Sequence, residues 1–110
     1  MDPKPAIRQI SARDLKAMID SDAAFEFVDV RTEDERAIAR IEGARLLDRA
    51  QMDRLLALDP DTPIVFHCHH GMRSQSAAEY CQAKGFRNLY NLSGGIDAWS
   101  CDVDPTVARY

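Results

Sequence analysis

Short apolar runs alternate with segments of helical periodicity along this chain, and this alternation limits the folds that it can adopt. The apolar runs that suit strands lie at residues 6–10, 25–30, 45–47, 63–66 and 88–92. Helix start signals stand between them, because Ser11 and Thr32 each precede an acidic residue by three positions, as in a capping box. The alternation predicts an α/β fold: a five-stranded parallel sheet with helices on both faces and right-handed crossovers.

Length and composition restrict the organisation and the classes of partner. The 110 residues suit one domain, residues 1–110, with a core of about 7–100 and tails at 1–6 and 101–110. No apolar run approaches the roughly 18 residues of a membrane span, so we expect no membrane partner. The first residues lack the apolar region of a secretory signal, which favours a cytoplasmic protein. Net charge is −4 and the acidic and basic residues are interspersed, which argues against nucleic acid as a partner.

The cysteines point to one working thiol. They stand at positions 68, 81 and 101 without a Cys-x-x-Cys pair, which argues against a disulfide framework and a thioredoxin-like motif. Cys68 lies where the apolar run at 63–66 leads into a helix expected at 74–84. Backbone N–H groups at such a junction stabilise a thiolate, and Arg73 adds a positive charge. The pattern predicts Cys68 as a nucleophile and Arg73 as an anion-binding residue, while Cys81 suits the core and Cys101 the surface.

The loop from Cys68 to Arg73 has the spacing Cys-x4-Arg, with Gly71 inside it. It resembles the Cys-x-x-Gly-x-Arg active loop of rhodanese-type sulfurtransferases. Tyrosine phosphatases use Cys-x5-Arg, and that position is Ser74 here. Further matches follow in the family's order at residues 27–31 with 33–35, at 41–44 and at 94–99. The chain departs from the family's frequent Gly-His-Ile-Pro-Gly-Ala stretch at Ala39-Arg40-Ile41-Glu42, away from the cysteine loop.

The resemblance implies sulfur transfer through a persulfide on Cys68, with no cofactor and no metal. Thiosulfate or glutathione persulfide are the implied donors, and cyanide, glutathione, thioredoxin or glutaredoxin the acceptors. Residues 99–105 also look like the close of rhodanese domains that are fused to monothiol glutaredoxins, so a fused glutaredoxin domain is a further expected partner.

The residues between Cys68 and Arg73 are also expected to take part in the site. His69, His70, Gly71 and Met72 are expected to form the anion-binding loop, mostly through backbone N–H groups, with Gly71 free to adopt a positive φ. Zinc is not expected, because histidines this close together cannot converge on an ion without ligands from elsewhere in the chain.

Asp29 and Arg31 end the run at 25–30. In a parallel sheet the carboxyl ends of the strands meet at one edge, so these two residues should lie near Cys68. We expect them to support the loop, with Asp29 bracing either the loop or Arg73.

Two other functions remain open. One is a rhodanese-like module that binds a protein partner; such modules usually lose the cysteine, whereas this chain retains Cys68 and Arg73. The other is a phosphatase or arsenate reductase with related loop chemistry, which the short loop disfavours.

Overall fold

The computed structural model describes residues 6–110. The part of the predicted N-terminal tail at residues 1–5 lies outside that range. Strands and helices alternate as predicted. Within this range the elements are β1 Arg8–Ile10, α1 Ala12–Asp20, β2 Glu26–Asp29, α2 Glu33–Ile38, β3 Arg45–Leu46, α3 Arg49–Leu56, β4 Ile64–His67, α4 Met72–Ala83, β5 Leu89–Leu92 and α5 Gly95–Asp102.

The strands form one parallel sheet in the order β1-β5-β4-β2-β3, which confirms the predicted α/β fold. β4 is buried along its whole length because both faces of the sheet are covered. Asp29 pairs with His67 in the register of β2 and β4, so both strands end side by side. The residues after Asp29 and the residues after His67 therefore start from neighbouring points of one edge.

Two apolar clusters lie on opposite sides of the sheet. On one side, Leu15 of α1 packs with Ile96 and Trp99 of α5. On the other, Leu55 of α3 packs with Cys81 of α4. Cys81 is thus a core residue, as predicted, and Cys101 is exposed.

The predicted capping boxes are present at the starts of α1 and α2. Ser11 Oγ accepts a hydrogen bond from the N–H of Asp14 at 3.0 Å, and the Asp14 carboxylate accepts one from the N–H of Ser11 at 3.1 Å. Thr32 and Glu35 form the same reciprocal pair before α2. These caps satisfy backbone donors that the first helical turn leaves unpaired.

Helix α4 begins at Met72, two residues before the predicted start at Ser74. Gly71 takes the N-cap position with φ 104°, a left-handed conformation that glycine adopts without steric cost. Because the glycine ends the turn this early, Met72 and Arg73 belong to the first turn of the helix rather than to the loop.

The segment after α5 packs against the core. Residues 101–110 were expected as a tail, but α5 extends to Asp102, and Val103 and Val107 are partly buried against the α1–α5 cluster. Ser100 Oγ donates a hydrogen bond to the Val107 carbonyl at 2.5 Å. The segment thus follows a defined path along the domain. No helix between residues 6 and 110 is long and apolar enough to cross a bilayer.

Candidate active site

Cys68 follows β4 directly, and its sulfur lies in a cradle of hydrogen-bond donors. The sulfur accepts hydrogen bonds from the N–H of Gly71 at 3.1 Å and the N–H of Ser74 at 3.4 Å. Burial of the side chain acts to raise the pKa of Cys68, but hydrogen bonds from Ser74, Gly71 and His70 outweigh it and lower the pKa below its ordinary value. The site therefore favours a thiolate.

The hydroxyl of Ser74 links this sulfur to β5. Ser74 Oγ lies 3.3 Å from the Cys68 sulfur and donates a hydrogen bond to Asn91 Oδ1 at 2.5 Å. The Asn91 amide is itself oriented, because its Nδ2 donates to the Gly71 carbonyl and to Gln9 Oε1. A single hydroxyl proton cannot serve both neighbours, so it can turn from Asn91 to the sulfur when Cys68 is ionised.

The start of α5 fixes the carbonyl groups of the cysteine loop. The N–H of Ile96 donates to the Cys68 carbonyl at 2.8 Å, and the N–H of Asp97 donates to the His69 carbonyl at 3.2 Å. Gly95 has φ 60°, and a Cβ at this position would overlap the backbone of Cys68 and His69. Only glycine therefore fits where α5 meets the loop. Because the hydrogen bonds to α5 hold the Cys68 and His69 carbonyls outward, the loop N–H groups face the Cys68 sulfur.

Arg73 pairs with Glu35, so of the two roles expected for Asp29, bracing the loop or bracing Arg73, a direct contact with Arg73 is absent among residues 6–110. Its Nη1 and Nη2 donate to the two Glu35 carboxylate oxygens at 2.6 and 2.9 Å. Asp29 is fully buried and already accepts three hydrogen bonds, two from Arg31 and one from Arg36. The hydrogen bonds from Arg73 hold the pKa of Glu35 well below its usual range, so the pair stays charged.

Arg31 connects the buried Asp29 to a residue that the sequence did not indicate. Its Nη1 donates to the Tyr110 hydroxyl at 2.9 Å, and that hydroxyl donates to Glu35 Oε2 at 2.7 Å. Asp29 and Arg31 thus support the site indirectly, through Tyr110 and Glu35.

The three histidines near Cys68 differ in environment. His67 is fully buried, and neither of its ring nitrogens has a hydrogen-bond partner within the described part of the chain. Burial lowers the pKa of His67 to about 4, so its ring is neutral near pH 7. His69 is half-buried between the rings of His70 and Tyr110, and His70 is exposed.

Three potential metal ligands meet beside the loop, because Asp97 joins His69 and His70 with donor atoms within 4.8 Å of one another. Asp97 is the distant ligand that sequence reasoning could not supply. However, the Asp97 carboxylate is already paired with Arg109, and the His69 and His70 rings are stacked on each other with centroids 3.9 Å apart. This arrangement gives no positive support for a metal centre.

The loop residues predicted from the sequence come together around one opening. A cavity of ≈ 270 Å³ is lined by Cys68, His69, His70, Met72 and Arg73. The Met72 side chain stands at its rim and is 81% exposed. An α/β domain in which a cysteine with a lowered pKa lines an open cavity beside an arginine has the arrangement of a cysteine-dependent group-transfer enzyme.

Comparisons with known proteins identify the family. The model of the rhodanese-like domain matches residues 11–102. The thiosulfate sulfurtransferase GlpE of Ectopseudomonas mendocina is 40% identical over 83 residues, which cover 74% of this chain and 76% of that protein. The chain therefore belongs to the rhodanese-like domain family, and the relatives support a rhodanese-type sulfurtransferase.

Solved structures agree with this assignment. The rhodanese-like domain protein of Staphylococcus aureus superposes with a TM-score of 0.74 at 28% identity, covering 94% of this chain and 99% of that one. A protein of unknown function from Rhodopseudomonas palustris, described as a possible tyrosine phosphatase, has a TM-score of 0.73 at 25% identity, with 94% and 85% coverage.

Proposed function

We propose that this protein moves a sulfane sulfur from thiosulfate or a low-molecular-weight persulfide, such as glutathione persulfide, to a thiol or cyanide through a persulfide on Cys68. The observation that carries the proposal is the Cys68 sulfur itself, which accepts hydrogen bonds from the N–H groups of Gly71 and Ser74. Such fixed donors stabilise a thiolate before the reaction and a persulfide anion after it.

The reaction is a double displacement. The Cys68 thiolate attacks the outer sulfur of thiosulfate, a sulfur–sulfur bond forms, and sulfite leaves with the electron pair of the bond that breaks. An acceptor nucleophile then attacks the terminal sulfur, and Cys68 departs as a thiolate. Neither step consumes or releases a proton if the acceptor is an anion. No external redox reagent is needed.

Arg73 and the loop N–H groups bind the anions of the reaction, which are the sulfur donor, the Cys68 thiolate and its persulfide. Arg73 stands at the cavity with its guanidinium about half exposed, where it can attract an anionic donor. Its pKa is raised, first by Glu35 and further by Cys68, so it remains charged at every accessible pH. Acceptors in this proposal are glutathione, thioredoxin or glutaredoxin, in a reducing cytoplasm.

Intact mass spectrometry tests the proposal. Wild-type protein incubated with thiosulfate or glutathione persulfide should gain ~32 mass units, expected for one sulfur atom, and lose them on addition of dithiothreitol. Cys68→Ser should gain nothing. Cys101 is also a free and exposed thiol, so Cys101→Ser serves as the matched control and should gain the same mass as wild type.

A phosphatase is the second candidate, because the Rhodopseudomonas palustris structure described as a possible tyrosine phosphatase has this fold. Ser74 stands where the Cys-x5-Arg loop has its arginine, so the shorter loop lacks that phosphate ligand. Hydrolysis of an aryl phosphate that depends on Cys68, with no persulfide from either donor, would favour this candidate. Failure of both assays would favour the partner-binding module.

A further inference from the structure

The segment that follows α5 ends against the opening of the cysteine loop. The Tyr110 ring lies parallel to the His69 ring, with centroids 3.9 Å apart and an angle of 10° between the planes. On its other side the Tyr110 hydroxyl contacts Arg31 and Glu35. One side chain therefore touches both the cysteine loop and the first turn of α2.

Tyr110 and Arg73 bind the same carboxylate oxygen. Glu35 Oε2 accepts a hydrogen bond from the Tyr110 hydroxyl at 2.7 Å and from Arg73 Nη2 at 2.9 Å. Behind them, Arg31 is held by two hydrogen bonds to the buried Asp29. A continuous chain of contacts thus leads from the core through Tyr110 and Glu35 to the arginine beside Cys68.

This chain restricts a flexible side chain. An arginine that is half exposed has many accessible rotamers, and each hydrogen bond to a fixed partner removes some of them. Glu35 is such a partner only while its own carboxylate is held, and Tyr110 supplies one of the donors that hold it. Two of the five guanidinium donors of Arg73 point at Glu35, and the other three have no partner among residues 6–110 and can bind an oxyanion.

We propose that Tyr110 is a positioning residue for anionic sulfur donors, which acts through Glu35 to keep Arg73 oriented at the Cys68 cavity. This role concerns donor selection and rests on the proposed sulfurtransferase function. Residues 103–110 bring Tyr110 to this place. The neighbouring Arg109 donates hydrogen bonds to the Asp97 carboxylate of α5, which holds the segment against the domain.

The decisive measurement uses the rate constants for alkylation of Cys68 by anionic iodoacetate and by neutral iodoacetamide, followed by peptide mass mapping. The thiolate fraction of Cys68 affects both reagents equally, so their ratio reports attraction of an anion at the opening. Tyr110→Phe keeps the ring on His69 and removes both hydroxyl contacts. The iodoacetate-to-iodoacetamide ratio should fall about five-fold, the effect of losing one hydrogen bond of ordinary strength.

Tyr90→Phe is the matched control. Its hydroxyl also accepts a hydrogen bond from an arginine, Arg8, at 2.8 Å, but this contact lies on the edge strand β1. The ratio in this variant should equal that of wild type.

A double-mutant comparison tests whether Tyr110 acts through Glu35. In a Glu35→Gln background, adding Tyr110→Phe should change the ratio less than about two-fold, because the residues belong to one network. An unchanged ratio in folded Tyr110→Phe, or the full five-fold fall in the Glu35→Gln background, would overturn the proposal.

Single-turnover persulfide formation separates this role from the proposed function. With thiosulfate, Tyr110→Phe should raise the half-saturating concentration about five-fold and leave the limiting rate unchanged. Absence of a persulfide in wild-type protein would refute the sulfurtransferase function, while the alkylation ratio would still decide the role of Tyr110. If the half-saturating concentration rose and the limiting rate fell by the same factor, the site would be damaged as a whole, and the positioning role of Tyr110 would be contradicted.

Discussion

Replacing Asp29 with alanine removes the anion on which the buried polar network depends. The Asp29 and Arg31 side chains are both fully buried and share two hydrogen bonds of 2.8 and 2.7 Å. Arg36, which is mostly buried, adds a third at 3.0 Å. In Asp29→Ala the Arg31 guanidinium stays in the protein interior with the neutral Tyr110 hydroxyl as its remaining partner among residues 6–110.

The expected cost follows from this burial. Removal of one member of a buried ion pair typically destabilises a protein by about 3–5 kcal/mol, because the other charge remains uncompensated. A domain of this size has a free energy of unfolding of roughly 5–15 kcal/mol. The midpoint of thermal unfolding should fall by about 12 °C or more, since each kcal/mol corresponds to roughly 4–8 °C in small domains.

Urea denaturation of matched variants measures this cost. The control is Asp20→Ala, which breaks the Lys16–Asp20 pair at 2.6 Å, where both side chains are about half exposed. An exposed pair of this kind contributes about 0.3–0.5 kcal/mol, so the control should unfold close to wild type. If Asp29→Ala lost less than about 1 kcal/mol, the Arg31 charge would have to be solvated, and the reasoning from burial would be refuted.

Three further predictions concern single contacts. Ser74→Ala removes a donor to the thiolate and should raise the pKa of Cys68, seen as a shift of its iodoacetamide alkylation profile to higher pH. Gly95→Ala should destabilise the fold much more than Gly85→Ala in thermal unfolding; both glycines have a positive φ, but only at Gly95 would a Cβ overlap backbone. Burial places the folded-state pKa of His67 at about 4, below its ordinary 6.5, so the unfolded state takes up the proton first. The free energy of unfolding should therefore fall by up to about 3 kcal/mol as pH drops from 6.5 to 4, and His67→Phe should remove this contribution.

Local signals predicted the fold well. The apolar runs and the caps at Ser11 and Thr32 depend on neighbours a few residues away, and the strands and helices that they predicted are present. The sequence predicts a start of α4 at Ser74, two residues late, because Gly71 caps the helix without a side-chain hydrogen bond and no capping side chain marks the boundary. The sequence predicts a tail after residue 100 because Val103 and Val107 form too short an apolar pattern to indicate packing.

The candidate site was predictable where it is contiguous in sequence. Cys68, Gly71 and Arg73 lie within six consecutive residues, so their nearness in the sequence places the Gly71 N–H on the Cys68 sulfur and Arg73 at the same cavity. The role of Asn91 was not predicted, because its contact with Ser74 depends on how β5 lies beside β4.

Of the two roles expected for Asp29, bracing the loop or bracing Arg73, a contact with Arg73 is absent among residues 6–110 for a specific physical reason. A carboxylate at the end of a central strand is enclosed by the sheet and its helices, so Asp29 must find its cations within the interior. The start of α2 lies at the same sheet edge as the start of α4, because β2 and β4 are neighbours. Glu35 is the acidic residue that the capping box turns back toward that edge, which makes it the natural partner of Arg73. Tyr110 follows α5, and its contact with Glu35 at the start of α2 does not follow from strand pairing. Only the folded structure reveals that contact.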